Sequence, residues 1–452
     1  MPVKVAASFP LVLACWPSFS RTRGVGKRGT NDSEKERTGS FYYPQLDGLR
    51  SLAFLLVFTG HAGGFVVDQS PQWIRPAVAV YQHILHFNWA GVDLFFCLSA
   101  FLITTILLRE EAKTGRIHLR HFLFRRALRI WPVYYLAVVV GLLTFPFICT
   151  PTFVEFGTEG YWHYTRTTFC WMATFTVNLG ISWLLTNTPM NLGPLWSVSM
   201  EEQFYVFWGT LLKFVRAVKW RLLIVAVLFC VTLATRAWLQ FRHPETHVPF
   251  YENTFARLDP ILFGILIACC SHYRPGMILV VKRFGFLVFL ATLGMFAWLS
   301  ALPVPTFVAY HFRAFDLTIV DLACAMILLT LLTFRPAAWL FSLKPIVQFG
   351  QLTYGMYVLH PFVIQGLNTW ILVPRQLVAG LSNVASLINL VIGLPLTFLL
   401  AWCVWHLFEG RLYALKSRFA VVKSGFMLDE SDERTCAQRG RDAQVRPKLS
   451  KT

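Results

Sequence analysis

The 452-residue chain is 56% hydrophobic and only 14% charged, with a formal net charge of +18. A soluble globular protein carries about a quarter charged residues, so the polar surface here is too small to cover a water-soluble body. The apolar residues come in runs of about twenty, the length that crosses a hydrocarbon core of about 30 Å, which excludes a soluble domain.

Residues 1–40 mix charges with Gly, Ser and Thr and read as a disordered cytoplasmic tail. The short apolar piece at 5–16 lacks a strongly basic start and is followed by basic residues, so it reads as part of that tail and not as a cleaved leader. Asn31, Asp32 and Ser33 fit a glycosylation acceptor but fall on the cytoplasmic side and are set aside. Ten spans follow, near 47–66, 89–108, 130–148, 196–213, 222–240, 258–272, 285–303, 317–333, 346–370 and 386–407, within a transmembrane domain over 41–410. Residues 411–452 form a second basic cytoplasmic tail. The expected fold is an all-α polytopic bundle.

Charge distribution supports this topology. With ten spans and both ends inside, 33 of the 41 Lys and Arg fall in cytoplasmic segments and only six in outer loops, as the positive-inside bias requires. The stretch 170–187 is also apolar. A full crossing there would carry the 19 basic residues of the last four cytoplasmic segments outside, so it is expected to be re-entrant or to lie along the outer interface. The basic excess is thus topological, and no basic patch interleaved with aromatics points to nucleic acid. The ten cysteines show no metal spacing; Cys149 and Cys170 bracket one loop and could pair in an oxidising compartment.

Three constellations carry chemistry. In the first span, YPQLDGLRSLAFLLVFTGHAGGF (Tyr43 to Phe65), Arg50 and His61 are eleven residues apart, which on a helix places them on one face about 16 Å apart. Asp47, one turn before Arg50, can hold its guanidinium. A titratable group inside a bilayer is costly unless it faces a cavity, and a neutral imidazole can take a proton from a hydroxyl. The plainer reading is a histidine that bridges helices. In HLRHFLFRRALRIWPVYY (His118 to Tyr135), Arg126 and Arg129 share a helical face with Arg125 nearby. Guanidinium forks match phosphate oxygens, although a positive-inside anchor accounts for the same residues. In LGPLWSVSMEEQFYVFW (Leu192 to Trp208), Glu201 and Glu202 stand among aromatics, where they can hold sugar hydroxyls or orient His61. Arg257 with Asp259, His360 beside Tyr354 and Tyr357, and His406 with Glu409 read as helix–helix contacts. No P-loop, dinucleotide fingerprint or metal motif is present.

These blocks together resemble the membrane acyltransferase-3 family of O-acyltransferases. DGLRSLAFLLVFTGH (Asp47 to His61) resembles that family's first helix. GVDLFFCLSAFLITTILLRE (Gly91 to Glu110) is similar to its second, with Ala100 where a glycine is usual. The Arg125–Arg129 run is similar to an RxxR signature, and LWSVSMEEQFY, RLDPILFGI, FGQLTYGMYVLHPF and WHLFEGRL follow in the family's order over roughly 41–410. The last block departs from the pattern, with Glu409, Gly410 and Arg411 where Lys-Pro usually follows the glutamate.

The resemblance implies a ten-helix enzyme of the plasma or inner membrane. It would move an acyl group, most often acetyl, from cytoplasmic acetyl-CoA or another acyl-CoA, without a metal. The acceptor would be a hydroxyl of a surface glycan, a lipid-linked saccharide or a small lipophilic molecule. Arg50 and His61 match the family's essential pair, and Arg126 and Arg129 match the pair assigned to the coenzyme's phosphates. His61 is expected to act as general base or as a transient acyl carrier. The competing reading is a proton-coupled transporter or flippase that relays protons through His61, Glu201 and Glu202.

Overall fold

The computed structural model describes residues 42–85, 87–148, 165–184, 192–242, 251–301, 316–373, 377 and 382–409. Both tails and Cys149 lie outside the described residues.

The described residues are helical almost throughout, because apolar runs inside a bilayer must satisfy their backbone groups within the segment. Helices lie over each apolar run: α1 Pro44–Ala62, α2 Gly91–Thr114, α3 Leu119–Ile148, α4 Leu195–Phe214, α5 Val218–Arg242, α6 Asp259–Tyr273, α7 Gly285–Ala301, α8 Asp316–Thr333, α9 Thr353–Leu367 and α10 Asn383–Leu407, with the run 346–370 shared between α9 and a separate helix, Lys344–Gln351. Four helical stretches, Asn88–Thr114, Leu119–Thr144, Val218–Arg242 and Asn383–Leu407, are each long and apolar enough to cross a bilayer alone, and two sharply bent pairs raise that number to six. The other helices of the expected ten fall short for visible reasons. α7 and α9 have 17 and 15 residues, and α1 and α4 carry the charged residues of the first and third constellations.

Each bent pair breaks at a proline. α6 turns by 105° into Pro275–Arg283, and α8 by 97° into Arg335–Phe341. Pro275 and Pro336 occupy the first turn of the following helix, where a missing N–H costs nothing, but neither can continue the helix before it. The run at 170–187 is likewise interrupted. A helix over 165–173 and Val177–Leu184 are separated by a turn in which Phe175 takes a left-handed conformation (φ 54°), and neither piece has the length of a span.

α2 is the central helix. Its apolar window is 83% buried, against 22% for α5 and for α10, which stand at the edge. It packs on α1 and α6, and a Cβ on Gly264 would collide with the carbonyl of Cys97, so the α2–α6 crossing needs that glycine. One large apolar cluster joins α1, α2, α3, α4 and α9, and a second joins α1, α2 and α8. α1 lies between them. At its start, Gly350 fits against the carbonyl of Asp47, where any Cβ would clash.

Candidate active site

At the N-terminal end of α1, Asp47 is buried and accepts hydrogen bonds from Arg50 and from Tyr42 Oη (3.0 Å). The carboxylate thereby fixes a guanidinium one helical turn away. Arg50 also feels the like charge of Arg129 and the hydroxyl of Tyr205. Arg126 joins the same group, its guanidinium carbon 5.8 Å from the ring centroids of both Phe122 and Tyr205, within cation–π range. Its charge interacts with Arg125, Arg129 and Glu201. Three arginines from two helices therefore gather at one end of the bundle, and among the described residues Arg126 forms no ion pair with a carboxylate. Arg125 turns the other way, buried 3.6 Å from Glu110, which also takes a hydrogen bond from His118 Nδ1 (2.9 Å).

Glu201 and Glu202 part company. Consecutive helical residues point about 100° apart; both carboxylates feel the charge of Arg126, but they bond to different neighbours. Glu201 accepts from Ser99 Oγ and Tyr205 Oη, whose oxygens lie 2.8 Å apart. Glu202 instead takes the indole N–H of Trp131 (3.2 Å) and borders a separate apolar cleft of about 680 Å³ with Phe175, Gln203 and Phe207. Two turns of α4 before Tyr205, Ser197 meets Tyr357 of α9 with 2.6 Å between the hydroxyl oxygens. Tyr354, one turn earlier on α9, donates to the carbonyl of Ile130 and ties α9 to α3.

At the far end of α1, His61 is exposed. Its Nδ1 lies 2.9 Å from the carbonyl of Val57 and 3.4 Å from Nε2 of His360, with ring centroids 4.9 Å apart. The side chain that meets His61 is thus another histidine and neither glutamate. His360 makes the helix–helix contacts expected of it, and they are to α1. It is fully buried against Phe54 and Phe58. Asp47, Arg50, Arg126, Arg129 and Glu201 form one neighbourhood. His61 stands at the other end of the same helix, and Ser197, Tyr357 and His360 lie between. Arg125 and Glu202 lie apart from that line.

A second charged group makes the helix–helix contacts expected of it, but with other partners. Arg257 and Asp259 do not pair with each other. Arg257 bonds Asp93 of α2, its guanidinium 4.5 Å from the centre of the Tyr251 ring. Asp259 accepts from Arg236 of α5 (3.0 Å) and from Thr318 of α8, while Arg236 also approaches Asp321 at 3.8 Å. All five charged side chains are completely buried. Arg257 precedes the helix on which Asp259 sits, so the two side chains reach different neighbours. No group of His, Cys, Asp and Glu with metal-binding geometry occurs among the described residues.

Known proteins resemble this chain along most of the helical bundle. The chain is 28% identical over 347 residues to the peptidoglycan O-acetyltransferase OatA of Listeria monocytogenes, covering 74% of this chain and 50% of that protein. A provisionally named O-acetyltransferase of Staphylococcus aureus is 26% identical over 73% of this chain and 52% of its own length. The provisionally named peptidoglycan O-acetyltransferase YrhL of Bacillus subtilis is 28% identical over 50% of this chain and 32% of its own. The chain thus spans about half the length of the first two relatives and less of the third. No solved structure matches it. The sequence profile of the acyltransferase domain matches residues 43–406, the whole of the helical bundle, and the chain belongs to the acyltransferase-3 family.

Proposed function

We propose that this chain is a multi-pass membrane O-acyltransferase, with ten spans and both termini in the cytoplasm, that moves an acetyl group from acetyl-CoA to a hydroxyl of a surface glycan. The arrangement of α1 carries the proposal: a buried helix with an arginine cluster at one end and an open imidazole at the other, about 16 Å away by helical rise. The relatives named as peptidoglycan O-acetyltransferases favour a cell-wall saccharide as acceptor, ahead of a lipid-linked saccharide or a small lipophilic alcohol.

In this reading the coenzyme enters from the cytoplasm, its phosphates on Arg126 and Arg129 and one of them near Arg50. Guanidinium forks suit that task. The thioester lies toward His61. His61 takes the acceptor's hydroxyl proton, the oxygen attacks the thioester carbonyl and the C–S bond breaks. The departing sulfur recovers the proton from the imidazolium. In the covalent variant the His61 imidazole attacks the thioester carbonyl first and the C–S bond breaks; the acceptor oxygen then takes the acetyl group from the imidazole as the N–C bond breaks, and its proton ends on the coenzyme's sulfur. Asp47 keeps Arg50 extended, and Glu201 helps hold Arg126.

The test uses the full chain in lipid vesicles with acetyl-CoA and a soluble muropeptide. Acceptor-dependent release of coenzyme A, with a gain of about 42 Da on the muropeptide, is the expected result. His61→Ala is expected to abolish that release while coenzyme A still binds. Retained turnover in that variant, or transport with no thioester consumed, overturns the proposal.

A further inference from the structure

We infer that His360 is a positioning residue for His61: it holds the His61 ring with its proton on Nδ1, which leaves Nε2 as the nitrogen that does the chemistry. The inference rests on the acyl-transfer reading of the site, and it begins with a proline. In an α-helix the carbonyl of residue i accepts from the N–H of residue i+4. Pro361 lies inside α9 and has no N–H, so the carbonyl of Tyr357 loses its helical donor. His360 Nδ1 stands 2.7 Å from that carbonyl. A carbonyl oxygen only accepts, so Nδ1 of a neutral His360 carries the proton and Nε2 presents its lone pair.

The same logic applies one helix away. His61 Nδ1 is 2.9 Å from the carbonyl of Val57, so it too carries the proton. Its remaining contact, at 3.4 Å, is His360 Nε2, which the first step has left as an acceptor. Two backbone carbonyls thus set both tautomers, and the single proton on His61 Nδ1 is shared between Val57 O and the lone pair of His360 Nε2. Val57 O already serves the helix as acceptor for the His61 amide, so His360 supplies the acceptor that is not shared. His61 Nε2 takes no hydrogen bond from the described residues.

The arrangement does what a carboxylate does beside a catalytic histidine, with a neutral group suited to an apolar surrounding. When Nε2 receives the hydroxyl proton, His61 becomes an imidazolium. The contact to His360 becomes a charge-assisted bond, which is shorter and stronger than a neutral one. Burial among Phe54 and Phe58 keeps His360 itself in one orientation.

Three variants of the full chain in lipid vesicles test this. His360→Leu keeps volume and removes the acceptor; its kcat is expected to fall roughly 10–100-fold, the worth of one hydrogen bond to a charged group, with KM for acetyl-CoA within about twofold. His360→Gln returns an acceptor oxygen and is expected to recover most of that loss. Pro361→Ala returns an N–H that competes for Tyr357 O, and its loss is expected to be intermediate. Solid-state ¹⁵N spectra of histidine-labelled protein, read as a difference against His61→Ala, are expected to show His61 protonated on Nδ1 and bare on Nε2. Equal kcat in His360→Leu and wild type overturns the inference. So do equal losses in the Leu and Gln variants, or a His61 signal protonated on Nε2. If the wild type consumes no thioester, the acyl-transfer reading fails, and the spectra still decide the tautomer.

Discussion

Two groups of buried charge occupy this bundle, and they are built on opposite plans. The Asp93, Arg236, Arg257, Asp259 and Asp321 knot joins four helices, is completely buried and pairs each guanidinium with a carboxylate. The line from Arg50 to His61 uses the same residue types sparingly. Asp47 serves Arg50, Glu201 reaches hydroxyls, and Arg126 stands over aromatic rings with no carboxylate bonded to it among the described residues. A buried ion-pair network ties helices together, because removing one partner strands a charge in a low-dielectric interior. At the arginine end Asp47 holds Arg50 while Arg126 stands over rings, and in the proposed function that end receives the phosphates of the coenzyme. The difference separates scaffold from site better than residue type does.

The sharpest way to break the contrast is to remove one charge from each group. Arg257→Met is expected to cost about 3–5 kcal/mol by stranding Asp93, read as a large fall in melting temperature and yield in detergent. The double variant Arg257→Met with Asp93→Leu is expected to regain most of that stability, since an apolar replacement of a whole buried pair is often neutral. His61→Gln, at an exposed position, is expected to leave the stability within about 0.5 kcal/mol of wild type, read as a nearly unchanged melting temperature, while turnover disappears. A smaller effect comes from Gly350→Ala, whose Cβ meets the Asp47 carbonyl. Overpacking of about 1–3 kcal/mol is expected there, with loss of activity through displacement of Arg50.

Arg126→Met is expected to raise KM for acetyl-CoA about tenfold, the lower range for one charged hydrogen bond, with kcat little changed and the melting temperature held. Steady-state kinetics at varied acetyl-CoA checks it, and an unchanged KM would return Arg126 to the scaffold. Ser99→Ala is the mildest test. It removes one donor from Glu201, and a loss of about 1 kcal/mol in stability or kcat/KM is expected.

The all-helical character was legible in the sequence, because apolar runs of span length announce themselves; four to six of the helices have the length and apolarity of a span, and the run 346–370 divides between two helices. Arg50 and His61 were legible too, since one helical repeat relates them. The partners across helices were not. Ser99 and Glu201 are 102 residues apart, and His61 and His360 are 299 apart, and no local period connects such pairs. A signal for His360 did exist. The His-Pro step in α9 frees a carbonyl three residues back, which a neighbouring imidazole can use, but that alone could not say which helix His360 would face. Adjacency also misled. Glu201 and Glu202 look like a pair on paper, and the helical screw sends them to different sides. Arg257 and Asp259 share a motif and bond to different helices.

The two right-angle breaks have a consequence for how the bundle floats. If α6 and α8 stand along the membrane normal, the segments turned from them by 105° and 97° lie flat, like the brim of a hat. They expose Met277, Leu279, Val280, Trp339 and Leu340 and carry Lys282, Arg283 and Arg335, a composition suited to the boundary between lipid tails and headgroups. The second of them presses its Phe341 carbonyl against Gly48, just before Arg50. The brim therefore sets the waterline at the foot of α1. Shortening or bleaching it of charge would sink or lift the arginine end relative to the aqueous phase without touching a residue of the site.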